Sequence, residues 1–330
     1  MSTRYSLAVI DDATFYTGSP AHTPQILNQV LVEPNFGIRY KDRLTFSTSL
    51  IGLSATYDHT ASTLHVKETY AGFSAGDFDF TAGRKMLRWG TGYAFSAAGV
   101  LDPPRVPTNP SDRLNTNQGR DMIKADWVHG PHALTVAWST AALAPAHSAL
   151  RDTTAFRYNV LVRGFDSSFI AGHDRGADTF GALTFTRVVG QAWEVHGEAV
   201  WREQAAALIG AKYTFQSGLT FLGEFYTPPN TAYFRDISIS PLAGRQHYAL
   251  FNAGKSRLRE LPGWKQWDVS ASVVSNLDDR SFVTVADISR WFGTHFTAYT
   301  HLEVPHGSKT ADFNSARYQT ATSIGVRFHL

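Results

Sequence analysis

Apolar and polar positions alternate with a period of two along most of this chain, in segments of roughly ten residues separated by turn chemistry. In 30–40 one face carries Val30, Val32, Pro34, Phe36, Ile38 and Tyr40, and the other carries Leu31, Glu33, Asn35, Gly37 and Arg39. Ile123, Ala125 and Trp127 oppose Lys124 and Asp126, and Leu134, Val136 and Trp138 oppose Thr135 and Ser139. Tyr158, Val160 and Val162 oppose Arg157, Asn159 and Arg163. Trp193, Val195, Gly197, Ala199 and Trp201 oppose Glu194, His196, Glu198 and Arg202. Trp267, Val269, Ala271 and Val273 oppose Asp268, Ser270 and Ser272, and Phe296, Ala298, Thr300 and Leu302 oppose Thr297, Tyr299, His301 and Glu303. This period predicts β-strands with one apolar and one polar face, and no long helix.

The connections alternate in length. Lys41-Asp42, Gly76-Asp77, Gly130-Pro131, Gly190-Gln191, Gln216-Ser217-Gly218 and Gly293-Thr294 are tight turns. Between them fall irregular links at 57–63, 91–118, 142–153, 228–244 and 305–316. The count is about eighteen strands, with sixteen as the alternative. A strand near 5–16 is interrupted by Asp11 and Asp12, and the hairpin near 154–173 is the next weakest. The chain ends Ile324-Gly325-Val326-Arg327-Phe328-His329-Leu330, alternating to its last residue.

That ending resembles the closing strand of Gram-negative outer-membrane β-barrels, whose last residue is usually Phe. Leu330 takes that place here, with Phe328 two residues before it. The resemblance is to porin-like barrels in general. It implies a closed antiparallel transmembrane up-and-down barrel over 1–330 as one domain, with short periplasmic turns and longer extracellular loops. The apolar faces, ending in Trp, Tyr or Phe, would meet lipid, and the charged faces would enclose water. A soluble sandwich or propeller with solvated polar faces is the alternative.

Composition narrows the choice. Hydrophobic residues make up 43%, mean hydropathy is −0.20 and cysteine is absent, which removes disulfides, thiolate metal sites and a covalently attached c-type haem. No run reaches the ~20 apolar residues of a membrane helix, although barrel strands escape that test. With 30 basic and 28 acidic residues the formal charge is +2, with no basic stripe for nucleic acid. The N-terminal residues lack a secretory apolar region, so an exported chain would have lost its signal peptide.

The link 91–118 holds Pro103, Pro104, Pro107 and Pro110 and cannot join a ladder. Its place resembles the third loop of general porins, which folds into the lumen; that resemblance implies a constriction with Arg105, Asp112 and Arg113. Before it, Arg84 and Arg88 share parity with Phe78 and Phe80. A cation at the lipid midplane costs roughly 2–4 kcal/mol, so a bulge near Ala82-Gly83 is expected to turn both inward beside Lys85, with a place above the membrane as the alternative for Arg88. Lys67-Glu68 shows the same conflict, and Glu68 is a candidate partner for these arginines. A wall ion network that only supports the barrel is the alternative.

The expected lumen wall comprises Glu33, Arg39, Lys67, Glu68, Lys124, Asp126, Arg157, Arg163, Glu194, His196, Glu198, Arg202, Glu303 and Arg327, with Lys212, Glu224, Asp268 and Asp287 on the same faces. Mixed charge implies weak ion selectivity, which follows rings of one sign. Gly72-Phe73-Ser74-Ala75-Gly76 matches the G-x-S-x-G elbow, but strand-like Asp77-Phe78-Asp79-Phe80 follows where a helix is needed. His295 and His301 lie ~20 Å apart on one strand face, too far for one metal, and read as lone lumen histidines. Glu194-His196-Glu198 reads as a solvated wall, with a proton or cation site as the alternative. The expectation is an outer-membrane channel for passive diffusion of small polar solutes, with lipid around it, no cofactor, no metal and no catalytic residue, acting as a monomer or homotrimer. The rivals are a barrel enzyme such as a lipid hydrolase, and a structural barrel sheathing or anchoring a partner protein.

Overall fold

The computed structural model describes residues 1–18, 25–57, 59–103, 105–108, 114–142, 152–176, 179–202, 205–228, 247–258, 263–308, 311–313 and 318–330. The strands are β1 (Ser2–Thr17), β2 (Ile26–Tyr40), β3 (Leu44–Thr56), β4 (Thr60–Ala75), β5 (Phe78–Lys85), β6 (Arg120–His129), β7 (His132–Thr140), β8 (Thr153–Val162) and β9 (Phe165–Asp174). They continue as β10 (Thr179–Val189), β11 (Trp193–Trp201), β12 (Ala205–Thr214), β13 (Leu219–Thr227), β14 (Tyr248–Lys255), β15 (Trp267–Asn276), β16 (Ser281–Phe292), β17 (Phe296–His306) and β18 (Thr320–His329). Each pairs antiparallel with its sequence neighbours, and β1 pairs with β18, so the 18-stranded sheet closes on itself.

The alternation sorts side chains between outside and inside. Phe36, Phe46, Phe80, Trp138, Phe156, Trp193, Trp201, Phe251, Phe296 and Ile324 are exposed on the outer face. Leu31, Lys124, His196, Glu198, Glu224 and His301 are buried on the inner one. Links following odd-numbered strands are the longer set. The one long link on the opposite rim, 256–266, was not expected.

Three local expectations are revised. Asp11 and Asp12 do not interrupt β1, because Asp12 points inward and accepts hydrogen bonds from Tyr299 Oη at 2.8 Å and Thr14 Oγ1 at 2.9 Å. Asp11 faces outward, opposite Val30 and Val326. The register through Ala82 and Gly83 is continuous on both sides, so the expected bulge is absent there. It lies one strand earlier: Ser49 pairs with Glu68 and Leu50 with Val66, leaving Lys67 as the extra residue. A bulge of this kind lets consecutive residues share one face, which resolves the Lys67-Glu68 conflict inside β4. Arg163 is not on the wall; it occupies the turn between β8 and β9 with φ 51°.

β5 is only 8 residues long beside the 16 of β4. The chain leaves the wall at Met86 and returns at Arg120. Gly119 permits the return: its amide donates to the Lys67 carbonyl at 2.8 Å, and a Cβ would collide with the Lys85 backbone. Within this link Leu87, Trp89, Phe95, Ala98 and Leu101 are buried in one apolar cluster with inward residues of β6 to β16, among them Met122, Ile170, Val200, Leu208 and Leu250. Burial of one such large side chain contributes about 1.5–3 kcal/mol. Leu114 packs on a second cluster, Ile10, Leu31 and Ile51 of β1, β2 and β3.

Candidate functional site: the lumen and the link after β5

Two wall carboxylates hold the beginning of the link. Glu198 on β11 accepts the amide of Gly92 on Oε1 at 2.7 Å and those of Ala97 and Ala98 on Oε2 at 2.6 and 2.7 Å. The Thr91 and Ser96 hydroxyls donate to the same group at 3.3 Å each. Glu224 on β13 accepts the amides of Tyr93, Ala94 and Phe95. Six amides of the link are thereby satisfied without a partner strand, as a buried backbone requires. Gly92 is needed for this turn, since a Cβ there would meet the Phe95 carbonyl and the Leu208 side chain.

Neighbouring groups complete the arrangement. His196, fully buried, donates from Nε2 to Glu224 at 3.0 Å and packs edge-on against Tyr93. Tyr93 Oη donates to Glu194 at 2.8 Å and accepts from Lys212 at 3.1 Å. Phe95 stacks on Tyr226, with ring centroids 5.1 Å apart. Inside the link, Asp102 accepts the amides of Trp89 at 2.6 Å and Gly90 at 3.0 Å, and Arg105 reaches the Gly90 carbonyl at 3.1 Å beside Asp102. Burial holds the Asp102 carboxyl above its ordinary value, against the opposing pull of those amides and of Arg105.

The residues read from the sequence fall into distinct places. Lys67 pairs with Glu33 at 2.8 Å, and Lys124 pairs with Asp126. Arg157 donates to Ser168, and Arg202 pairs with Asp174 at 2.7 Å. Glu68 accepts the Met86 amide at 2.7 Å. Glu194, His196 and Glu198 do not form a solvated wall; His196 and Glu198 are buried, and each serves a different part of the link. His301 is not a lone lumen histidine: it lies between Asp287 at 2.7 Å and Glu303 at 2.9 Å, and Glu303 accepts from Tyr318. Arg327 faces inward on β18, paired across with Ile10.

Arg84 keeps its outward parity. It stands opposite Thr69 and Asp121 and binds Asp121 through Nε at 3.1 Å and Nη2 at 2.7 Å. The outward charge is neutralised by this two-pronged ion pair rather than turned inward by a bulge. Lys85, on the other face, lies 4.2 Å over the Tyr70 ring. Arg88 is exposed in the link. Asp112 and Arg113 lie outside the described residues.

A cavity of about 870 Å³ opens along β1 to β6 toward the short-turn rim. Arg4, Arg39, Lys85 and Lys124 line it, together with Asp79 and Asp126. Ser74 also lies there, in β4 before a tight turn and β5, bonded to Asp79. The helix that a nucleophile elbow needs is absent at that place.

Solved structures with this architecture identify the fold. OccK5 (OpdH) of Pseudomonas aeruginosa superposes with a TM-score of 0.65 at 8% identity, over 100% of this chain and 98% of that one. OpdQ of the same organism gives 0.64 at 9% identity, over 100% and 99%. The fold is that of an outer-membrane porin barrel. A mutant porin of Rhodopseudomonas blastica gives 0.54 at 10% identity, over the whole of both chains. No family model and no curated protein matches the sequence.

Sequence reading missed how the link is attached. Glu224 was read only as a lumen charge, and Asp102, Tyr93 and Asp174 were not singled out. The one signal was parity, since Leu222, Glu224 and Tyr226 share the inward face of β13; the partners sit more than a hundred positions earlier.

Proposed function

We propose that this chain is an outer-membrane channel through which small polar solutes diffuse passively, narrowed by the link after β5. The observation that carries the reading is the capture of the 92–98 backbone by Glu198 and Glu224, both on the inner face. That capture draws the longest link across β11 to β13, while the cavity along β1 to β6 stays open. Lys85, Lys124 and Arg39 line the open side; Arg105 braces the link through Gly90 and Asp102. Arg88 is exposed on the same link. Arg84, outward on Asp121, supports the wall instead.

Paired charges leave few unbalanced cations, so ion selectivity is weak. The porins found by fold comparison support this reading over a barrel enzyme or a sheath for another protein. Each barrel encloses its own lumen, so the reading holds for a monomer and for a homotrimer. The experiment is single-channel recording in planar bilayers, followed by liposome swelling with sugars of graded size. Discrete open steps and a size cut-off are expected. A folded, heat-modifiable barrel that stays electrically silent would overturn the reading.

A further inference from the structure

On the outer face at the short-turn rim, Arg290 of β16 stands opposite Trp267 of β15, three residues before Gly293. Its guanidinium lies 5.4 Å from the centroid of the Trp267 ring and 4.8 Å from that of Phe292. Its Nε is buried and has no hydrogen-bond partner. Among the described residues no carboxylate pairs with it. Asp268, the nearest acid in sequence on β15, faces the lumen and accepts the Trp291 indole N–H at 2.6 Å and the Arg257 amide at 2.7 Å. Trp264, exposed on the long link 256–266, lies 5.0 Å from Trp267.

Neighbouring aromatic rings fix a guanidinium and shield it, but they are no substitute for an acceptor. A cation at this level of a barrel meets the headgroup layer, where Trp rings sit. A phosphate presents oxygens in the geometry that the guanidinium fork matches. We infer that Arg290, held between Trp267 and Phe292, binds the phosphodiester of a phospholipid in the leaflet on the short-turn side. The site needs the barrel to be embedded in a bilayer, but it is independent of conduction through the lumen.

The test is native mass spectrometry of the detergent-solubilised barrel titrated with phosphatidylglycerol, and with diacylglycerol of the same acyl chains. Wild type is expected to retain one phosphatidylglycerol more tightly than the rest, and Arg290→Met to weaken that binding about tenfold. Arg187→Met is the control: Arg187 lies over Phe165 on the same rim but is exposed. It should leave the tight binding unchanged. Arg290→Lys, which keeps a charge without the fork, should fall between wild type and Arg290→Met, and it carries the test if the Met variant fails to show heat-modifiable migration. Equal retention of phosphatidylglycerol by wild type and the Arg290 variants, or equal retention of diacylglycerol and phosphatidylglycerol by wild type, overturns the inference. Conductance steps of Arg290→Met should match wild type, so failure here is separable from failure of the channel reading.

Discussion

Removing the two carboxylates that hold the link should free it without opening the barrel. Glu198→Ala strips the acceptor from the amides of Gly92, Ala97 and Ala98, and Glu224→Ala does the same for Tyr93, Ala94 and Phe95. A buried amide left unsatisfied costs about 1–3 kcal/mol. Water in the lumen would recover part of this, so the low end applies: ~3 kcal/mol for either substitution, or a shift of roughly a hundredfold toward a detached link. The barrel ladder is untouched, because these amides take no part in it. Glu198→Gln should be intermediate, since one oxygen still accepts while the new amide nitrogen faces other donors.

The assay pairs single-channel recording with limited proteolysis. Wild type should give steady steps and resist cleavage across 86–119. Each single Ala variant should flicker, and the double variant should show larger steps and rapid cleavage within that segment. A double variant with wild-type step size and an uncut link would refute the reasoning, because it would mean that the apolar cluster of Leu87, Trp89, Phe95 and Leu101 holds the segment unaided.

Three further outcomes are expected. Lys67→Ala leaves Glu33 without its cation at the β4 bulge and should lower stability by ~2 kcal/mol in detergent-solubilised urea unfolding; Lys67→Met with Glu33→Leu should recover most of it, and no recovery would show that the bulge rather than the charge is at stake. Arg84→Leu should destabilise the barrel by stranding outward Asp121, while the exchanged pair Arg84→Asp with Asp121→Arg should restore heat resistance; equal stability of all three would show the pair to be inert. Asp102 has its carboxyl raised by burial, so it binds its proton at higher pH in the folded chain than in the unfolded one. Stability therefore falls as pH rises from the unfolded value through the folded value, and Asp102→Asn should flatten that slope in unfolding titrations.

The barrel was legible because the two faces of each strand meet different surroundings, so period-two alternation runs through most of the chain and breaks only locally, as at the β4 bulge. β18 shows this: Ile324 and Val326 face out and Arg327 faces in, as their order requires. β1 was harder, since Asp11 and Asp12 look like a break. Asp12 is taken up by Thr14 two residues on and by Tyr299 from the other end of the chain. The Lys67-Glu68 and Arg84 conflicts were visible as two charges out of phase, but a single bulge could sit in either strand. Its place in β4 depends on Glu33 waiting on the inner face. The outward Arg84 depends on Asp121, and β6 is set in register only after the whole link 86–119 has been traversed.

Why the attachment of that link stayed hidden is a different matter. A salt bridge leaves two marks in a sequence, one of each sign, and both Lys67–Glu33 and Arg84–Asp121 could in principle be sought as pairs. Glu198 and Glu224 bind main-chain N–H groups, which every residue except proline carries. Their partners, Gly92 to Ala98, hold no ionised side chain at all. A carboxylate that serves a backbone therefore reads as an unpaired lumen charge until the fold brings the amides to it. The same reasoning bears on selectivity: counting wall charges from the sequence includes Glu198 and Glu224 as acids facing a permeating ion, whereas both are spent on the link and buried from it. With them withdrawn, the open side along β1 to β6 presents Arg4, Arg39, Lys85 and Lys124 against Asp79 and Asp126. Any residual preference of the channel should accordingly lean toward anions, and a reversal-potential measurement in a salt gradient that gave a clear cation preference would contradict the assignment of those two glutamates.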